Sequence, residues 1–168
     1  MKSRWRPTTM LAGWWLGAMM TMPQALAQSA PEPLSAFPRS LIEIRTQAGN
    51  VHAISVWIAD RPSRQEQGLM FVRDLPAHQG MLFVYPHERR ISMWMKNTLI
   101  PLDMLFIRPD GTIVHIAHGV PESLDIITTP QPVRLVLEIA GGQAAELGIR
   151  EGDRVYGESL DTPPSQHP

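Results

Sequence analysis

Between residues 39 and 160 the chain is built of apolar stretches five to eight residues long, rich in β-branched and aromatic side chains and separated by turn residues. Stretches this short suit strands better than helices, and this pattern constrains the fold more than any other feature. Residues 41–46 and 51–58 flank Ala48-Gly49-Asn50, which predicts a hairpin with Gly49 and Asn50 at positive φ. Asp60 reads as an N-cap, with Pro62 in the first turn and Gly68 as the stop of a short polar helix. Residues 81–85, 91–96, 102–108, 112–117 and 133–139 predict further strands, and Pro109-Asp110-Gly111 turns between two of them. Residues 140–148 read as a second helix of about two turns closed by Gly148, after which Gly152-Asp153 delivers a last apolar strand. Many short strands with two short helices predict a mostly β (α+β) domain, a compact barrel-like or rolled sheet. Alternation within the strands is imperfect and leaves the register open.

The first 27 residues follow a different pattern. Lys2, Arg4 and Arg6 precede an apolar run over residues 10–22, Pro23 breaks it, and Ala25-Leu26-Ala27 supplies small residues for cleavage. This is the layout of a secretory signal peptide, predicting a mature start at Gln28 and a periplasmic or secreted protein. The run is too short to span a bilayer, so no stable membrane insertion is expected after cleavage; the rival reading is an uncleaved anchor. No twin arginine and no lipid-bearing cysteine precede the site. Residues 28–38, rich in Pro, Ser and Ala, read as a flexible linker, 39–160 as a single domain and 161–168 as a disordered tail.

Charge and cysteine content narrow the partners. The leader takes three of the fifteen basic residues and none of the sixteen acidic ones, leaving a mature net charge of −4. A nucleic-acid partner needs a basic face that this balance does not supply. The chain has no cysteine, which excludes disulfides, iron–sulfur clusters, thiolate zinc sites and cysteine nucleophiles. No cofactor is implied, and a monomer is expected.

The stretch Ser92-Met-Trp-Met-Lys-Asn-Thr98 stands out. Lys96 is the single lysine after residue 27, beside eleven arginines, so a compact ammonium is wanted here or one surface lysine was never replaced. On a strand, Ser92, Trp94 and Lys96 share one face, while Ile91, Met93 and Met95 share the core face. A ring beside a cation makes a platform for a sugar or another small polar molecule. The alternative is a Trp94 packed under a loop with Lys96 snorkelling past it. Asn97 and Thr98 read as the turn. A Ser92–Lys96 hydrolase pair fails, because four residues of strand span about 13 Å.

Other constellations are weaker. His115 and His118 point to opposite faces of a strand, so no metal site is assigned to them. Met70, Met81, Met93, Met95 and Met104 are thioether donors for copper(I), with core filling as the plainer reading. Asp103 and Glu138 each sit in or beside an apolar strand. They read as buried partners of Arg64, Arg73 or Lys96, or as acid–base groups acting on a glycoside or related substrate.

Arg64, Gly68-Leu69-Met70, Arg73, Gly80-Met81-Leu82-Phe83 and Trp94-Met95-Lys96-Asn97-Thr98, followed by Pro101-Leu102-Asp103 and Phe106-Ile107, form one pattern. It resembles the bacterial and archaeal family named domain of unknown function 192. Leu137-Glu138, Gly141 and the segment from Gly148-Ile149 to Gly152-Asp153 extend the resemblance across residues 41–158. Met93 departs mildly from it, standing where an aromatic residue often precedes the Trp. The resemblance implies a small, β-rich, often exported domain and no assigned activity. The expected function is therefore the binding of a small polar or anionic ligand in a cleft of Trp94, Lys96, Asn97, Thr98 and Asp103, with Arg64 and Arg73 nearby. The alternatives are a carbohydrate or envelope hydrolase using Lys96, Asp103 and Glu138, and a structural or protein-interaction module without ligand.

Overall fold

The computed structural model describes residues 31–161. The expected leader, the first residues of the linker and all of the tail beyond residue 161 lie outside the described residues. The described chain forms a curled, half-barrel sheet of seven strands. In chain order the elements are β1 (Arg39–Arg45), β2 (Val51–Ala59), α1 (Pro62–Gln67), β3 (Gln79–Arg89), β4 (Ser92–Met93), β5 (Leu102–Ile107), β6 (Ile113–Gly119), β7 (Ile127–Thr128), β8 (Val133–Ala140), α2 (Gln143–Glu146), β9 (Arg154–Tyr156) and α3 (Glu158–Asp161). The sheet order is β6-β5-β8-β3-β2-β1-β9, and β4 and β7 make a separate two-stranded piece.

The predicted hairpin forms as β1 and β2, with Arg39 opposite Trp57 and Arg45 opposite Val51. Gly49 alone carries the positive φ of its turn, at 88°. Every strand pairing is antiparallel except β2 with β3. Parallel neighbours cannot be joined by a tight turn, so the chain must leave the sheet between Ala59 and Gln79 and return. That excursion carries α1. The cap of α1 is Arg61 without a side-chain bond, and Asp60 instead accepts from Arg64 Nη1 at 3.2 Å.

Two apolar layers explain the imperfect alternation of the sequence. One packs Ile42, Ile54, Leu82, Leu105, Leu137 and Ile139 against Ala144 of α2 and Ile149. The other packs Met81, Phe83, Tyr85, Met104, Phe106 and Val136 against Leu69, Leu75 and Phe37. Strands covered on both sides are apolar throughout, and all six residues of β5 are buried. Within the stretch expected as a linker, residues 32–37 make contacts with the sheet and α1. Phe37 is buried, and Glu32 takes bonds from Arg61 Nη2 at 2.6 Å and Arg64 Nη2 at 3.0 Å. Charge pairing and one aromatic anchor dock this stretch despite its loop-like composition.

Candidate functional site

The strand expected over residues 91–96 stops at Met93, and the next residues turn. Asn97 takes a φ of 55° there, and its carbonyl accepts from the N–H of Phe71, itself at φ 64°. The carbonyl of Thr98 accepts from the N–H of Glu122, at φ 59°. Three loops with left-handed non-glycine residues are thus bonded into one cluster, a form of strain that gathers at functional sites. The expected partition still holds around the turn: Met93 and Met95 are buried while Trp94 is 43% exposed. Lys96 Nζ lies 5.0 Å from the centroid of the Trp94 ring.

Beneath this turn lies a hollow of about 80 Å³, lined on one side by Gln65, Glu66 and Gln67 of α1 and by the Gly68-Leu69-Met70 bend. Phe83 and Tyr85 of β3, Ser92, Met93, Trp94 and Thr98 form further walls, and Glu138 of β8 also lines it. Glu138 is 4% exposed, and its Oε2 has no hydrogen-bond partner. Burial pushes its carboxyl up to about 8, so the acid is mostly protonated at neutral pH. Burial likewise raises the Tyr85 phenol to about 12, and its hydroxyl donates a weak bond to Met93 Sδ at 3.9 Å. The hollow therefore sets a neutral acid and the hydroxyls of Tyr85, Ser92 and Thr98 among aromatic rings and thioethers.

Of the residues expected to form a cleft, Trp94, Thr98 and Glu138 meet here. Asn97 and Lys96 sit outside on the turn, where Asn97 Nδ2 reaches Met70 Sδ at 3.9 Å. Asp103 lies on the other side of the sheet. It pairs in register with Ile139, whose layer is opposite to that of Met81 and Met104, the cross-strand neighbours of Glu138. The two acids therefore do not form the carboxylate pair expected of a hydrolase. Asp103, fully buried, accepts from His118 Nδ1 at 2.7 Å and from the N–H of Ala144 at 2.9 Å, fastening α2 to the sheet. Arg64 is spent on Glu32, Asp60 and the carbonyl of Ala36. Arg73 is exposed and does not line the hollow.

Gln65, Phe83 and Tyr85 were given no site role from the sequence, and Met70 was weighed only as a copper(I) donor or core filler. Phe83 and Tyr85 alternate with Met81 along β3, a signal that points to one face but acquires meaning only once β8 is known to lie alongside. Among the described residues no group of three His, Asp or Glu side chains is placed to hold a metal ion.

A family model described as DUF192, Uncharacterized ACR, matches residues 43–157. A crystal structure of a "putative transcription regulator" from Sinorhizobium meliloti is 43% identical, with a TM-score of 0.72 over 73% of this chain and 96% of that one. A protein of unknown function from Novosphingobium aromaticivorans is 34% identical, with a TM-score of 0.71 over 76% of this chain and 91% of that one. No curated protein matches.

Proposed function

The chain belongs to the DUF192 family, and on that footing we propose that it is a binding module whose ligand inserts a small polar end into the hollow beside Glu138. The observation that carries this reading is a buried carboxyl with an unpartnered oxygen bordering an accessible hollow. An unsatisfied buried acid costs stability, and a fold concerned with packing alone gains by placing an apolar side chain there. The volume of about 80 Å³ is small beside the roughly 300–1,000 Å³ of ordinary ligand pockets. Only a short group enters; the rest of the ligand lies over Trp94 and the turn. Acids line the hollow and Lys96 stands off on the outer ring, which favours a polar or cationic end over an anionic one.

Acid–base hydrolysis by paired carboxylates has less support, because Asp103 faces away. Regulation of transcription is the name of one neighbour; the mature charge of −4 favours a small ligand over a phosphate backbone here. The expected leader supports action beyond the cytoplasmic membrane.

A thermal-shift screen of the purified protein against amines, sugars, amino acids and cell-wall fragments tests the reading, with Glu138→Met in parallel. A binder raises the melting temperature of the native chain and not of the variant, whose own melting temperature is equal or higher. A destabilised Glu138→Met together with silence across the screen would reject the site and make Glu138 a structural residue.

A further inference from the structure

Building on the reading of the hollow as a binding site, we propose that its occupant is a primary alkylammonium group, with its nitrogen on the Glu138 carboxyl and its alkyl stem against Trp94. Charge comes first: the lining holds two acids, Glu66 exposed on α1 and Glu138 buried, and no lysine, arginine or histidine. Among the lining side chains an anion finds no cationic partner. Hydrogen bonding comes next. Glu138 Oε2 is unpartnered, while Thr98 Oγ1 and Tyr85 Oη direct their own hydrogens elsewhere, to the Lys96 carbonyl at 3.4 Å and Met93 Sδ at 3.9 Å. These oxygens keep lone pairs for the N–H donors of a primary ammonium, Tyr85 Oη sharing its own with a hydrogen bond from Arg89, whereas a quaternary ammonium offers no donor. The rings of Phe83, Tyr85 and Trp94 border the same hollow, and ring faces attract cations. Trp94 already does so on its exposed side, where Lys96 Nζ lies 5.0 Å from its centroid.

The binding has a proton signature. The ammonium pairs with the carboxylate form, so a Glu138 that is mostly protonated at pH 7 gives its proton to solvent as the amine enters. Tyr85, held neutral to about 12, does not change charge near that pH. The Arg89 guanidinium lies 4.8 Å over the Tyr85 ring.

The test is calorimetric titration of the purified protein at pH 7 with n-butylammonium, and with n-butanol, butyrate and silver(I) as comparison probes. Each titration is run in two buffers of different ionisation enthalpy. The expected result is butylammonium binding with release approaching one proton. Glu138→Gln loses about tenfold or more in affinity, the worth of a charged hydrogen bond, together with the proton release. Thr98→Val weakens binding and keeps the release, and it carries the mutational test if Glu138→Gln does not fold. Amine binding with no proton release, or equal binding to Glu138→Gln, overturns the assignment. Binding of butanol, butyrate or silver(I) in place of the amine overturns it too while leaving the hollow a site; silver would mark the thioethers of Met70 and Met93 as donors. Silence from all four, with silence in the wider thermal screen, overturns both readings.

Discussion

Glu138 makes stability depend on pH in an unusual direction. Its ordinary value of 4.5 applies to the unfolded chain, and burial raises the folded value to about 8. Between these limits the folded state holds the extra proton, so the contribution of Glu138 to stability is greatest below pH 4.5, declines as pH rises towards 8, and levels off above it. The decline is at most about 1.4 kcal/mol per pH unit, and water entering the hollow reduces it. Glu138→Gln is expected to remove this slope. Urea unfolding at pH 5 and pH 8.5 should show the variant gaining roughly 1–3 kcal/mol over the native chain at the higher pH. Parallel profiles for the two proteins would mean that the acid is solvated in the folded state. Glu138 was legible in the sequence as a charge inside an apolar strand. Its separation from Asp103 was not, because one residue of register decides which face of the sheet each acid meets.

Individual elements were read from local signals and missed where those signals were short. The β1–β2 hairpin, α1 with Pro62 and Gly68, and the long strands β5 and β8 all carry their period or their punctuation in the chain. The two-residue strands β4 and β7 owe their form to each other, and no local pattern marks the pairing of Ser92 with Thr128. Close approach of two elements is similarly invisible beforehand. Gly80 faces Ile139 across β3 and β8, and a Cβ there would run into the backbone carbonyl of Glu138. Gly80→Ala must push the two central strands apart and is expected to cost about 2 kcal/mol or more, measured by chemical unfolding. Arg64 has a comparable role for the N-terminal stretch, where it holds Glu32 and the Ala36 carbonyl. Arg64→Met should free that stretch, seen as faster amide exchange over residues 32–37 with exchange in β3, β5 and β8 unchanged. Slow exchange over 32–37 in the variant would assign the docking to Phe37 and to the bonds that Arg61 and Gln67 make with Glu32.

For the whole molecule, the mostly β class followed from strand count and turn spacing, whereas the curl of the sheet and its order depend on long-range pairing. The hollow is a product of that order: its walls come from α1, β3, β4 and β8, and only Trp94, Thr98 and Glu138 announced themselves locally. Export remains a prediction about the whole chain. Intact mass of the protein recovered from the cell envelope should correspond to a chain beginning at Gln28; a full-length mass in the cytoplasm would remove the leader reading.

The one parallel contact in the sheet, between β2 and β3, has an evolutionary corollary. Since the strands on either side fix only where the connecting segment departs and rejoins, its middle is free to grow or shrink. Relatives could keep the same acidic floor while remodelling the ceiling above it, so changes in what such proteins accept should cluster in that detour and leave the sheet beneath untouched.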